Sequence, residues 1–114
     1  MISSWCDKEI AKARMTTELK EEVVNRIAYA DNIAMLKDVD FVVEAASEDF
    51  GLKKKIFTHL AEVTPSHCIL ATNTSSISIT KIAGCIPDRA SQVIGMHFMN
   101  PVPVMKLIEV IRAL

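Results

Sequence analysis

Glycine is scarce in this sequence, and its three copies, Gly51, Gly84 and Gly95, stand far apart. A Gly-x-Gly-x-x-Gly turn, which brings the backbone close to the diphosphate of a dinucleotide, is therefore missing from these 114 residues. Proline occurs only four times, and no stretch rich in glycine and proline marks a linker. A chain of this length without a linker has room for one domain.

Cysteine, net charge and long apolar runs are also limited. The three cysteines include no Cys-x-x-Cys pair and the three histidines complete no metal-ligand spacing, so we expect no metal site. A net charge of -1 predicts neither a nucleic-acid partner nor attraction to an anionic membrane. No apolar run approaches the roughly 20 residues that cross a bilayer, so no membrane insertion is expected. Without a secretory signal we expect an intracellular protein, with cytoplasm, peroxisome and mitochondrion all open as compartments.

Short apolar runs alternate with segments of helical character along the chain. The runs predict strands at 40–46, 68–71, 92–96 and 106–111, with a further short candidate at 27–29. Helices are expected at 5–14, 18–26, 33–37, 48–63 and 79–83. Charged residues flank the run at 40–46 and do not alternate along it, which is typical of a strand buried on both faces. The alternation predicts βαβ units, an α/β fold and a parallel sheet.

Polar residues follow three of these predicted strands, at Glu44 to Glu48, Asn73 to Ser76 and His97 to Asn100. In open α/β sheets, ligands bind outside the carboxyl ends of the strands. We therefore expect the functional site among these three segments.

His97 and Glu109 are the residues best suited to acid–base chemistry. An imidazole at the end of a strand titrates near neutral pH and can take a proton from a substrate hydroxyl. Glu109 lies within the apolar run 107–111, where a carboxylate is costly to bury unless it is paired, and a nearby histidine is its natural partner. Two alternatives stay open at this point: a histidine that only ties down the loop, and a solvent-facing glutamate on an edge strand.

The stretches Asn73-Thr74-Ser75-Ser76 and 95–110, with the core His97-Phe98-Met99-Asn100-Pro101, identify a family. They resemble the 3-hydroxyacyl-CoA dehydrogenases, including the 3-hydroxybutyryl-CoA dehydrogenases. The resemblance runs from about residue 40 to residue 111 and is weaker through the N-terminal helices. The His-Phe-x-Asn-Pro motif with its downstream glutamate is highly specific, whereas Asn-Thr-Ser-Ser alone is weak.

The resemblance implies three catalytic residues. His97 matches the base that removes the 3-hydroxyl proton as hydride leaves C3, and Glu109 matches its charge partner. Ser75 matches a serine that contacts both the substrate and the cofactor region. The alternative for Ser75, or for Thr74, is a cap of the following helix.

The resemblance also implies residues that bind NAD and acyl-CoA. Asn100 matches an asparagine on the cofactor side, and Glu48 and Lys53 match residues that hold the nicotinamide-ribose side of NAD. Lys12, in the first helix, corresponds loosely to a lysine that contacts CoA. The alternatives are a first-turn dipole partner for Glu48 and solvated charges for Lys53 and Lys12.

The family fold implied is a Rossmann-like, doubly wound parallel sheet. By this resemblance, residues 1–114 form a partial NAD-binding domain, without the first βαβ unit that carries the glycine-rich turn and without the C-terminal helical domain. One edge of the strand at 40–46 would then lack a partner, so we expect the isolated chain to be marginally stable or prone to aggregation.

The resemblance implies NAD-dependent oxidation of a 3-hydroxyacyl-CoA to a 3-oxoacyl-CoA, in fatty-acid oxidation or butyrate metabolism. Full-length members of the family are expected to be homodimers. The alternative from another functional class is a non-catalytic remnant that binds acyl-CoA or a full-length homologue.

Overall fold

A computed structural model describes residues 1–114, which divide into two compact units, residues 1–31 and residues 32–114. The first unit holds helices α1 (Ile2–Ala11) and α2 (Thr17–Asn25). Thr16 caps α2, because its side-chain oxygen accepts a hydrogen bond from the backbone N–H of Leu19 at 3.2 Å. This satisfies one of the first N–H groups of the helix, which have no partner inside it.

The strand predicted at 27–29 is wrong. The structure shows no regular element there, and Tyr29 is exposed. A strand exists only through hydrogen bonds to a neighbouring strand, and residues 27–29 belong to no ladder of the sheet.

The second unit is built on a four-stranded sheet. Its strands are β1 (Phe41–Glu44), β2 (Ile69–Thr72), β3 (Val93–Phe98) and β4 (Ile108–Arg112), in the spatial order β1-β2-β3-β4. The first two pairs are parallel, which confirms the predicted α/β class. The last pair is antiparallel, so the sheet is mostly parallel and the predicted parallel arrangement does not extend to β4. The nine residues 99–107 between β3 and β4 are too few for the crossover of about a dozen residues that a parallel pair needs.

Helices α3 (Phe50–Val63) and α4 (Ile79–Ala83) connect the parallel strands, as predicted. Two 3₁₀ helices, Ile33–Leu36 and Pro87–Gln92, complete the unit. No helix in the structure combines the length and the apolar character that a membrane span requires. The core lies between the helices and one face of the sheet, and its buried members are Phe57, Leu60, Cys68, Leu70, Ile79, Ile82, Ala83, Ile86 and Val93.

Strand β1 is not buried on both faces, contrary to the prediction. The side chains of a strand alternate between its two faces. Val42 packs against the core and Glu44 is buried, whereas Phe41 and Val43 are 43% and 42% exposed. The prediction failed because β1 is an edge strand and the face that carries Phe41 and Val43 is only partly covered.

Candidate active site

His97 and Glu109 face each other across the antiparallel pair β3–β4. They are register partners, so their side chains project from the same face of the sheet. His97 Nδ1 lies 2.9 Å from Glu109 Oε2. The side chains are 23% and 49% exposed, respectively, so the pair lies at the surface where a ligand can reach it. The structure therefore brings together the two residues that the sequence singled out for acid–base chemistry.

Ser75 completes a line of three groups. Its Oγ lies 3.2 Å from His97 Nε2, the ring nitrogen that Glu109 does not contact. The carboxylate can only accept, so we assign the ring proton to Nδ1, which donates to Glu109. Nε2 is then free to accept, and the hydroxyl of Ser75 donates to it. This tautomer is the one that a proton-accepting imidazole needs.

The alternative for Ser75, a helix cap, is wrong. The N-cap of α4 is Ser78, whose side chain accepts from the N–H of Lys81 at 3.3 Å. Thr74 does have a turn-forming role, because its Oγ1 accepts from the N–H of Ile77 at 3.0 Å. The hydroxyl of Ser75 therefore caps no helix and contacts His97 instead.

Gly95 lets the helix after β2 approach the strand that carries His97. A Cβ at this position would lie 2.9 Å from Cδ1 of Ile79 in α4 and 3.2 Å from Cβ of Ile111 in β4. These separations are shorter than ordinary van der Waals contact. Glycine at 95 thus allows α4 and β4 to pack closely on β3, two residues before the catalytic candidate.

Asn73 fixes the end of β3 and was not singled out by itself from the sequence. The parallel ladder of β2 and β3 ends at the pair Thr72 and Gly95. Beyond it, Oδ1 of Asn73 accepts the backbone N–H of Phe98 at 2.9 Å. The side chain of Asn73 thus supplies a hydrogen bond beyond the last backbone pair of the ladder. It holds Phe98, the residue after His97, in place. Only its position after a strand signalled this role.

Glu48 grips the loop that carries Ser75. Its Oε1 accepts from the hydroxyl of Thr74, and its Oε2 accepts from the backbone N–H of Ser75 at 3.1 Å. The hydrogen bond from Thr74 is the main reason why the pKa of Glu48 is lowered, followed by the bond from the Ser75 amide. The nearby charge of Lys53 acts in the same direction, and so does His97 when its ring is protonated. The alternative, a first-turn dipole partner of α3, is not what these contacts show.

Lys53 is buried, so the alternative of a solvated charge is wrong. Its side chain is 1% exposed. The ammonium donates to both carboxylate oxygens of Glu44, at 2.8 Å and 2.9 Å, and to the carbonyl of Ala46 at 3.2 Å. All three N–H groups are thereby used. The charge of Lys53 therefore serves an internal ion pair, and its predicted contact with NAD stays a prediction.

Asn100 and Lys12 lie in different units. Asn100 is exposed in the loop after β3, on the chain that leaves the candidate active site. Lys12 belongs to the unit of residues 1–31, where its ammonium lies 3.6 Å from Glu9 in a surface ion pair. The structure groups no three His, Cys, Asp or Glu side chains as metal ligands. The binding roles of Asn100 and Lys12 stay predictions.

Comparison with known proteins points to one family. A family model described as the NAD binding domain of 3-hydroxyacyl-CoA dehydrogenase matches residues 1–114. The chain is 50% identical over 101 residues to a probable 3-hydroxybutyryl-CoA dehydrogenase of Bacillus subtilis (strain 168), covering 89% of this chain and 34% of that protein. It is 40% identical over 103 residues to a glyoxysomal fatty acid beta-oxidation multifunctional protein of Cucumis sativus, covering 90% and 14%.

The structural comparison agrees. The crystal structure of (S)-3-hydroxybutyryl-CoA dehydrogenase from Ralstonia eutropha superposes with a TM-score of 0.93 and 45% identity, over 98% of this chain and 39% of that one. The four-stranded, mostly parallel sheet is thus part of a Rossmann-like fold. The chain spans about a third of the length of the 3-hydroxybutyryl-CoA dehydrogenases that it matches. By family model, sequence and fold together, the chain belongs to the NAD-binding domain family of the 3-hydroxyacyl-CoA dehydrogenases.

Proposed function

We propose that this chain supplies the acid–base half of a site that oxidises a 3-hydroxyacyl-CoA to a 3-oxoacyl-CoA with NAD. The observation that carries the proposal is the line Glu109–His97–Ser75, with contacts of 2.9 Å and 3.2 Å on the two ring nitrogens. Family membership supports the reaction class. The activity of the whole protein is part of the proposal, since the chain covers about a third of its dehydrogenase relatives.

The residues of the line divide the proton transfer among them. Nε2 of His97 is the acceptor, and the hydroxyl of Ser75 marks the position from which a hydroxyl donates to it. A substrate 3-hydroxyl that takes over this hydrogen bond gives its proton to Nε2, with Ser75 beside it to bond the reacting oxygen. Glu109 then stabilises the imidazolium through Nδ1. A base placed in this way typically contributes about 10²–10⁴ in rate.

NAD, when bound, supplies the chemistry that side chains lack, namely acceptance of the hydride from C3. The residues present fit the nicotinamide-ribose end of the cofactor. Glu48 is partly exposed, its lowered pKa keeps it ionised, and each oxygen can accept a second hydrogen bond, as from a ribose hydroxyl. Asn100 is an exposed donor and acceptor on the loop after β3. The diphosphate-binding glycine turn is not among the 114 residues.

A pair of histidine variants tests the proposal. His67 also lies 2.7 Å from a carboxylate, that of Asp40, but it precedes β2 and so lies at the amino ends of the parallel strands. His97 lies at the carboxyl end of β3. The measurement is NADH oxidation by acetoacetyl-CoA, the reverse reaction. We expect His97→Gln to lower kcat by about 10²–10⁴ and His67→Gln to leave it unchanged.

Two outcomes would count against the proposal. Equal turnover by wild type and His97→Gln would remove His97 from the reaction. Binding of acetoacetyl-CoA by the wild-type chain without any turnover would favour the alternative, a non-catalytic remnant. The predicted CoA contact of Lys12 is testable in the same preparation, by the acyl-CoA affinity of Lys12→Ala. The homodimer expected of full-length members is tested by sedimentation of a full-length relative.

A further inference from the structure

Glu44 is a buried carboxylate that the proposed reaction does not use. It is only 5% exposed and lies at the end of β1. Its two oxygens accept both contacts from Lys53, a hydrogen bond from the hydroxyl of Thr72 at 2.7 Å, and the backbone N–H of Ala46 at 2.5 Å. The side chains of Glu44, Lys53 and Thr72 are all buried, so the centre of this cluster lies beneath the surface.

Stability alone is a weak reason for such a pair. Taking two charges out of water costs several kcal/mol per ion, and apolar residues of similar volume often replace a buried ion pair without loss of stability. The pair does fix the positions of its neighbours, because the polar groups of Glu44 and Lys53 each bond to specific donors and acceptors. The hydrogen bonds around the pair show which parts of the chain it holds in place.

The cluster anchors both loops of the candidate active site. Ala46 donates its N–H to Glu44 and accepts from Lys53 with its carbonyl, so the chain leading to Glu48 is held twice. On the other side, Oγ1 of Thr72 accepts the N–H of Thr74 at 3.3 Å, which holds the chain leading to Ser75.

Glu48 joins the two anchored loops. It accepts from Thr74 and Ser75 and lies 4.0 Å from the ammonium of Lys53. A continuous chain of contacts therefore runs from the buried pair to the hydroxyl that contacts His97.

We propose that Glu44 and Lys53, with Thr72 and Thr74, are positioning residues that hold Glu48 against the Thr74–Ser75 loop and so keep the Ser75 hydroxyl on His97. This inference rests on the proposed function, since it takes His97 as the base and Ser75 as the hydroxyl beside it. The charges that face Glu48 agree with it. They are Lys53 of α3 and, when its ring is protonated, His97 of β3. Both lower the pKa of Glu48 and keep it an acceptor. The charge of Glu44 on β1 is matched by Lys53.

A double variant separates positioning from stability. Glu44→Gln with Lys53→Met removes both charges while keeping side chains of similar size, so neither charge is left buried alone. We expect its Tm to stay close to that of the wild type. Three local signals should change: hydrogen exchange of the Ser75 amide should become about tenfold faster or more, the pKa of Glu48 should rise, and the ¹⁵N shift of His97 Nε2 should lose its hydrogen-bonded value.

A second variant keeps the proposal testable if the double variant does not fold. Thr74→Val leaves the buried pair intact and removes the hydroxyl that donates to Glu48. It should speed exchange of the Ser75 amide in the same way, and Thr74→Ser should restore protection. The matched control is Thr58→Val, because Thr58 only donates to the carbonyl of Lys54 in its own helix.

Each result decides the question. Unchanged Ser75 exchange and unchanged Glu48 titration in the folded double variant would make the pair purely structural and overturn the inference. If the double variant is unfolded, unchanged exchange in Thr74→Val overturns it, and faster exchange rescued by Thr74→Ser supports it. These readouts need no turnover, so absent NADH oxidation counts against the proposed function and leaves the positioning result standing.

Discussion

Glu48 combines a lowered pKa with the contacts that hold the loop of Ser75 in the candidate active site. It bonds the loop of Ser75 through two donors, and those bonds are the main cause of its lowered pKa. A carboxylate that is ionised more easily when folded makes stability depend on pH. The contacts that place Ser75 therefore also affect how the free energy of unfolding depends on pH.

Acidification should remove the stability that Glu48 contributes to the folded chain. Because the folded pKa of Glu48 lies below its ordinary value of 4.5, the unfolded chain binds more protons in the interval between the two values. The stability contributed by Glu48 is present above 4.5 and is lost as pH falls through the folded pKa. In Glu48→Gln, the free energy of unfolding should fall less steeply on acidification than in the wild type, as measured by urea titration at a series of pH values.

Glu62→Gln is the matched control for this measurement. Glu62 is exposed on α3, the helix that follows Glu48, and its side chain makes no hydrogen bond or ion pair. Its variant should follow the wild-type acid profile. If Glu48→Gln has the same slope as the wild type, the bonds from Thr74 and Ser75 do not favour the ionised carboxylate in solution.

Single residues also show where sequence reasoning succeeds. His97 and Glu109 were predicted to pair because a carboxylate in an apolar run needs a partner and a histidine was available. The burial of Lys53 was not predicted, because a lysine in a helix with polar neighbours gives no sign of burial. Its partner Glu44 lies in a separate element, nine residues earlier, and only the packing of α3 on the sheet brings the two together.

At the scale of elements, Arg89 closes the end of α3. The last carbonyls of a helix have no partner inside it. The guanidinium of Arg89, from the 3₁₀ helix Pro87–Gln92, donates to the carbonyls of Ala61 and Thr64 at 3.0 Å and 3.2 Å. It also donates to the hydroxyl of Thr64 and to the carbonyls of Pro65 and Cys68. One planar fork therefore ties the end of α3 to the start of β2.

The prediction for this element is a loss of stability in Arg89→Lys. An ammonium keeps the charge but cannot reproduce the planar fork, so several carbonyls lose their donor. We expect the free energy of unfolding to fall by about 2–4 kcal/mol, since hydrogen bonds to charged groups contribute about 1.5–3 kcal/mol each. Arg112→Lys on β4, an exposed arginine without a bonded partner, should change it by less than about 0.5 kcal/mol. Equal effects of the two substitutions would show that the fork adds nothing to stability.

The elements themselves were predictable to different degrees. The helix at 79–83 was placed at its observed bounds, and the strands at 68–71 and 92–96 were found to within two residues, because apolar periodicity is a local property. The direction of β4 and the absence of a strand at 27–29 depend on which strands become neighbours. Pairing is not local, so the pattern of one segment does not contain it.

At the scale of the whole molecule, both edge strands of the sheet expose apolar side chains. At one, β1 exposes the apolar side chains of Phe41 and Val43, and at the other every residue of β4 is exposed. A strand at an edge presents unpaired backbone groups that a second chain can extend. The sequence-based expectation of an aggregation-prone chain stays a prediction, and the edge at β1 is where we expect association to begin.

A charge on this edge should reduce association. Val43→Lys places an ammonium on the exposed face of β1, a device by which natural edge strands avoid pairing. The measurement is sedimentation velocity over a range of concentrations, with less association expected for Val43→Lys than for the wild type. Val102→Lys is the control, because it adds the same charge to an exposed loop residue away from any strand. A monodisperse wild type with a cooperative thermal transition at micromolar concentration would contradict the expectation.

The amino-acid sequence by itself determined the α/β class and the βαβ order, and it singled out His97, Glu109 and Ser75 as catalytic candidates. The class and order follow from local periodicity, and the candidates follow from the family resemblance of two short stretches of the chain. The tertiary structure alone decided the antiparallel direction of β4, the burial of Lys53 against Glu44, and the grip of Glu48 on Ser75. Those features depend on contacts between segments far apart in the chain, and such contacts form only when the sheet and its helices pack together.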